Sequence, residues 1–197
     1  MANSNEVRII AGQWRGRKLR FPASTTIRPT PDRVRETLFN WLAPFIRDAN
    51  VLDLFAGSGA LGMEALSRGA RAATFIESDV RCVDALRAHA DEWQASGAQI
   101  RRADALAWLA VTPPEPFDVV FVDPPFAAAW WSTVCARLEA GGFLTPQAFV
   151  YLEMPREQTV DTLPANWQPW RRGKAGDVGY HLLRRGVATG EGSAPTS

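Results

Sequence analysis

Apolar and polar positions alternate along the first stretch of the chain and then settle into blocks. Residues 7–21, VRIIAGQWRGRKLRF, switch between the two classes around Gly12 and Gly16. That pattern predicts a short β-hairpin with an arginine-rich face. In residues 32–45 the period changes. Val34, Leu38, Trp41, Leu42 and Phe45 recur at helical spacing, which predicts a helix with one buried face. Thr30 reads as its N-cap and Pro31 as its first helical residue. Asp32 then lies in the first turn, where a carboxylate suits the helix dipole.

From residue 51 strand and helix patterns alternate. Strands are predicted at 51–55 (VLDLF), 71–78 (RAATFIES), 99–104 (QIRRAD), 117–123 (FDVVFVD) and 148–154 (AFVYLEM), with helices at 60–68, about 80–96, 105–110 and 130–140. The last helix stops at Gly141-Gly142, a natural helix end. Nearly continuous apolar strands separated by helices imply an α/β fold with a parallel sheet covered on both faces. VGYHLLRR (178–185) has no helix before it, so it is expected to close the sheet in an antiparallel hairpin. The expected organisation is a disordered start (1–6), a basic hairpin extension (7–27), an α/β domain (28–185) and a disordered, small and polar tail (186–197).

Composition changes this picture little. Of 197 residues 46% are hydrophobic and 22% charged, ordinary for a soluble globular chain. Met1 is followed by polar ANSNEV, so no signal peptide is expected, and no apolar run reaches the roughly 18 residues of a membrane span. Cys82, Cys135, His89 and His181 show no metal-ligand spacing. The reading is a cytoplasmic protein with reduced thiols and no metal. Charge adds more. The net charge is +1, yet residues 1–40 carry eight Lys/Arg against three acids, so +5 sits there and −4 on the rest. A basic end on a nearly neutral body suggests a polyanion, with nucleic acid favoured.

The candidate chemistry begins at Gly57-x-Gly59-x-x-Gly62, which follows a strand and opens a helix, with Glu77 twenty residues beyond Gly57. This satisfies a dinucleotide fingerprint. Its physics serves any adenosine cofactor: glycines allow close backbone approach, and the acid accepts from ribose hydroxyls. The loop alone suits NAD and S-adenosylmethionine equally. Asp53, four residues before Gly57, is awkward beside a pyrophosphate but useful beside the ammonium of a methionine moiety. Asp104, ending the third strand, can read an adenine amino group. Taken singly, Asp53 suits internal capping and Asp104 an N-cap. Taken together, at the carboxyl ends of neighbouring strands where α/β folds bind ligands, they favour the methyl donor.

The fourth strand ends in Asp123-Pro124-Pro125-Phe126. Methyl transfer to an exocyclic amine needs a nitrogen whose lone pair is drawn out of the base. Two acceptors on its two N–H bonds do this: the Asp123 carboxylate and the Pro124 carbonyl. Pro124 and Pro125 fix φ and stiffen that carbonyl. Phe126 offers a flat face to the base, with stacking worth about 1–3 kcal/mol. Catalysis is then mostly positioning.

RIIAGQWRGRKL (8–19), RPTPDRVRETLFNWLAP (28–44), LDLFAGSGALGMEALSRGA (52–70) and FVDPPF (121–126) together resemble the RsmD family of bacterial 16S rRNA (guanine-N2)-methyltransferases. The last two stretches occur in many amino methyltransferases; the first two narrow the resemblance, which covers residues 7–185. It implies a class I S-adenosylmethionine-dependent fold with sheet order 3-2-1-4-5-7-6 and strand 7 antiparallel. It also implies methylation of guanine 966 of 16S rRNA in the small subunit, by a monomer. The family's DPP[FY] falls on Asp123 to Phe126, its first cofactor motif on Asp53, Phe55, Gly57 and Gly59, and its ribose-binding acid on Glu77. Asp104 and Ala105 complete the cofactor set, and Arg28 and Thr30 match the part that closes over the methionine end. Arg8, Arg15, Arg17 and Lys18, joined by Arg33 and Arg35, would grip RNA phosphates, and Trp14 would stack on RNA. Trp41, Trp93 and Trp108 read as core. Two other readings stand beside this one: adenine-N6 or protein-glutamine methylation, more often marked by NPP[YF], and a NAD-dependent oxidoreductase.

Overall fold

The computed structural model describes residues 4–22, 30–111, 115–125, 130–158 and 163–186. Nine strands and five helices fall within them: β1 Ser4–Arg8, β2 Lys18–Pro22, α1 Asp32–Leu42, β3 Asn50–Asp53, α2 Ala60–Ser67, β4 Ala72–Glu77, α3 Val80–Glu92, β5 Ala98–Arg102, α4 Ala105–Trp108, β6 Phe117–Val122, α5 Trp131–Ala140, β7 Leu144–Pro155, β8 Trp167–Ala175 and β9 Val178–Arg185.

Seven strands form one sheet in the order β5-β4-β3-β6-β7-β9-β8. Counted from β3, this is 3-2-1-4-5-7-6. The pairs from β5 through β7 are parallel, and β9 runs antiparallel to both β7 and β8. β3 and β6 lie side by side although a helix, β4, α3, β5 and α4 separate them in sequence, so the chain reverses its direction of winding there. Such a reversal opens a crevice at the carboxyl ends of the strands.

Two apolar layers cover the sheet. On one face Val51, Ala73, Phe75, Phe121 and Tyr151 meet Leu38, Phe39 and Leu42 of α1 and Met63 and Leu66 of α2. On the other, Leu52, Ile76, Val120 and Val150 meet Val134, Cys135 and Leu138 of α5. The alternation along each strand sends neighbours to opposite layers. Burial pushes the Cys82 thiol up to about 11 and the Cys135 thiol up to about 12, which leaves both as unreactive apolar side chains. No described helix is long and apolar enough to cross a membrane.

Four expectations change. The strand β1 begins at Ser4 and pairs with Pro22, so residues 4–6 are ordered by the hairpin ladder rather than disordered. The hairpin is not a free appendage: Val7, Ile9, Trp14, Leu19 and Phe21 are buried in the same apolar layer as α1. Thr30 does not cap α1; Pro31 holds that position, and the Thr30 hydroxyl donates to Glu153 Oε1 at 2.6 Å. Phe45 lies beyond the helix end and is 38% exposed, while Phe39 fills the core place. The expected disorder at 1–3 and 187–197 lies outside the described residues.

Candidate active site

Four carboxyl groups come from the ends of neighbouring strands. Asp53 ends β3, Glu77 ends β4, Asp123 follows β6, and Glu153 lies near the end of β7. Among the described residues none of the four is ion-paired with an Arg, Lys or His.

The loop after β3 is shaped by its glycines. Gly57 and Gly59 have φ of +51° and +76°, a region open to glycine at little cost. The turn is held by Glu77, whose Oε2 accepts from Gly57 N at 2.7 Å while Oε1 accepts from Asp79 N at 2.7 Å. Asp53 Oδ2 accepts from Gly62 N at 3.0 Å. Burial lifts the Asp53 carboxyl to about 7, only partly offset by that bond. Asp104 caps α4, its Oδ1 accepting from Ala107 N at 2.8 Å. With Ser78, Arg102 and Ala103 it lines a cleft past the ends of β4 and β5. Ala105 is buried under it, and Phe55 stacks on Trp130 at 6.1 Å.

On β6 the register brings Val122 opposite Leu152 of β7, so Asp123 and Glu153 are the next residues on adjacent strands. Burial holds the Asp123 carboxyl well above its usual range, and the charges of Glu153 and Asp53 add to that. Glu153 is raised by burial, against bonds from Thr30 and from the Tyr151 hydroxyl at 2.8 Å. Its carbonyl accepts from Trp131 Nε1 at 2.6 Å. Pro124 is buried and Pro125 exposed. Phe126 and Arg28 lie outside the described residues.

This cluster of carboxyl groups suits a cationic ligand with hydroxyls. Buried carboxyls without cation partners are costly unless a positive group arrives, and S-adenosylmethionine carries both an ammonium and a sulfonium.

Comparison with known proteins decides the family. Residues 7–184 match the family model described as "Conserved hypothetical protein 95". The chain is 48% identical over 193 residues to ribosomal RNA small subunit methyltransferase D of Escherichia coli (strain K12), covering 98% of this chain and 96% of that protein. The chain belongs to the RsmD family. The same-named protein of Haemophilus influenzae is 43% identical over 182 residues, 91% and 94% of the two chains. A solved structure of the Escherichia coli protein yhhF superposes with a TM-score of 0.85 at 46% identity, covering 93% of this chain and 99% of that one. An RNA methyltransferase from Salinibacter ruber, solved with S-adenosyl-L-homocysteine, shares the fold at 19% identity with a TM-score of 0.63, over 84% and 98% of the two chains. The class I methyltransferase fold expected of the RsmD family is therefore the fold observed.

The candidate RNA contacts divide. Arg8, Arg15, Arg17, Lys18 and Arg33 are exposed, although Lys18 pairs with Glu6 at 2.7 Å. Trp14 is not available for stacking on RNA. It is buried against Trp93 at 5.6 Å, because the loop 9–17 is drawn onto α2. Arg35 is fully buried too: its Nη2 donates to Arg8 O and Asp32 Oδ1, both at 2.7 Å, and its Nη1 lies 3.7 Å from Glu64. It anchors the hairpin and cannot reach a phosphate. Two features escaped the sequence reading. Glu153 had one signal, a lone acid inside the apolar run AFVYLEM. The basic stretch WRRGK (170–174) was hidden in the negative sum over residues 41–197.

Proposed function

We propose that the chain transfers a methyl group from S-adenosylmethionine to the exocyclic N2 amine of a guanine, of the 966 type, in 16S rRNA of the small subunit, acting as a monomer. The observation that carries this reading is Asp123 at the end of β6, stiffened by two prolines and placed beside the carboxylate-lined glycine loop of β3.

When bound, S-adenosylmethionine supplies an electrophilic methyl group. Asp53 faces the ammonium of its methionine end, with Thr30 and Arg28 closing over it. Glu77 accepts from the ribose hydroxyls, and Asp104 and Ala105 meet the adenine. Gly57, Gly59 and Phe55 shape the floor. Asp123 and the Pro124 carbonyl accept the two N–H bonds of the guanine amine and aim its lone pair, while Phe126 supports the base. The proton leaves to Asp123 or to water. The base must leave its stack, at a cost of a few kcal/mol; phosphate contacts from Arg8, Arg15, Arg17, Lys18 and Arg33 offset it.

The test is methylated-guanine mapping by mass spectrometry in 16S rRNA from a deletion strain. The methyl group should be missing, return with the wild-type gene, and stay missing with Asp123→Ala. Turnover of that variant in vitro should fall about 10²-fold or more with cofactor binding retained. Binding of NADH without binding of S-adenosylmethionine would falsify the reading.

A further inference from the structure

The edge strand β8 is unlike the others. Residues 167–185 carry five Lys/Arg and one acid, Asp177, and only Trp167 of β8 is buried. Arg171, Arg172 and Lys174 are exposed, and among the described residues no carboxylate pairs with any of them. The register slips between Pro169 and Arg171, so Trp170 is the extra residue of a bulge. A bulge re-aims its side chain. Here the indole stays 37% exposed and holds two guanidinium groups, Arg171 and Arg184, each with its Cζ 5.3 Å from the ring centroid. Arg184 also lies 5.7 Å from the Phe149 ring.

Proline, a bulge and cations are general devices that keep an edge strand from pairing with other chains. They do not require a ring that gathers two arginines. Guanidinium groups stacked on an indole have their forks fixed in direction, and that fixes them for phosphate oxygens. The placement is also particular. β8 runs parallel to β7, with Lys174 paired to Gly179 and Gly179 to Met154, next to Glu153. The stripe from Trp170 to Lys174, about 13 Å at the rise of a strand, thus leads from the base of the sheet to the edge of the catalytic crevice. The hairpin β1–β2 lies toward the opposite edge of the sheet, where β2 packs on α3 and α3 on β5.

We propose that Arg171 and Arg184, with Trp170 as their platform, and the neighbouring Arg172 and Lys174 form a second RNA-phosphate contact on the far side of the crevice from the hairpin. It rests on the RNA-methylation reading above and deepens it: the substrate strand is held on both sides of the base being methylated. Phosphate contacts of this kind fix position and carry no sequence information.

The experiment replaces Arg171, Arg172 and Lys174 together by Gln, and Trp170 separately by Leu, and measures affinity for a 16S rRNA transcript against salt. The triple variant should lose about 2 from the slope of log affinity on log salt, at about 0.7 per phosphate contact. KM for RNA should rise about tenfold, with kcat at saturation and calorimetric S-adenosylmethionine binding unchanged. Trp170→Leu should raise KM for RNA with a smaller loss of slope. A wild-type slope in the triple variant overturns the proposal, and aggregation with unchanged RNA affinity does so too, assigning the edge to protection alone. Unchanged transcript binding with weaker binding to assembled subunits overturns it by assigning the edge to a protein. If the wild-type protein itself shows no salt-dependent affinity for the transcript, the methylation reading fails first.

Discussion

Asp123 and Glu153 show how position, rather than residue type, sets chemistry. Both are acids at strand ends, but Asp123 opens to the crevice while Glu153 is tied down by Thr30 and Tyr151. Asp123 must be ionised to accept from an amine, and its carboxyl is held above the usual range, so turnover should rise with pH along an acidic limb. Part of that elevation comes from the Glu153 charge. Glu153→Gln keeps an oxygen for Thr30 and Tyr151 and removes the charge. The limb should therefore move to lower pH. An unmoved limb in a kcat-against-pH profile would separate Glu153 from the chemistry. The DPPF motif alone reads as a strand stopped by prolines; it drew a functional reading because it follows the glycine loop, Glu77 and Asp104 in the fourth strand of a doubly wound pattern. Glu153 drew none, since only strand adjacency gives it a partner and the sequence does not print adjacency.

Among the elements, those with strong periodicity were readable and those fixed by long-range polar bonds were not. β3, β4 and β6 are buried on both faces, so their apolar runs announce them. β8 has no such run: an edge strand paired on one side keeps its charges, and nothing in WQPWRRGKA alternates. The segment 9–17 is a similar case. Its arginines suggested a nucleic-acid arm, yet Glu64 accepts from Ile10 N at 2.7 Å and Ala11 N at 3.0 Å, and Ser67 O accepts from Gln13 N at 2.8 Å. Gly12, at φ +82°, sits so close that a Cβ would lie 1.8 Å from Ser67 O. Gly12→Ala should lower stability by about 1–3 kcal/mol and loosen the arm while the sheet persists, read as faster amide exchange at 9–17. Retained protection there would refute the docking. At the other end Glu139 clamps the closing hairpin, accepting from Asn166 at 2.9 Å, from Trp167 Nε1 at 2.9 Å, and from Arg185 at 2.7 and 2.8 Å. The Arg185 bonds, chiefly, hold its carboxyl down at about 2. That contribution is complete above about pH 4.5 and is lost as pH falls through about 2. Glu139→Gln should cost about 1–3 kcal/mol at neutral pH and flatten the stability curve between pH 4.5 and 2. A parallel curve would mean that the clamp contributes nothing through its charge.

Three raised carboxyl groups sit together at the ends of β3, β6 and β7, and this has a thermodynamic signature for the whole molecule. Asp53, Asp123 and Glu153 are all held above their ordinary values. A raised carboxyl contributes stability that is complete below about pH 4 and is lost as pH rises through its folded value, about 7 for Asp53. Glu139 and Asp79, both held down at about 2, act only in the acid range. His181, lowered by burial and by Arg172, adds stability as pH rises toward 6.5 and nothing beyond. Between pH 6.5 and 8, then, the buried carboxyls dominate. The free protein should lose about 2–4 °C of melting temperature across that window, roughly what 1 kcal/mol is worth in a chain of this size. A cation bound among the carboxyls offsets the cost of ionising them, so the stabilisation by saturating S-adenosylmethionine should grow over the same window. Linkage demands the converse: binding near neutral pH releases protons, and its calorimetric enthalpy varies with the ionisation enthalpy of the buffer. Asp53→Asn should diminish both effects together. A ligand-induced shift that stays constant from pH 6.5 to 8, with a buffer-independent enthalpy, would mean that the carboxyls do not face the cation.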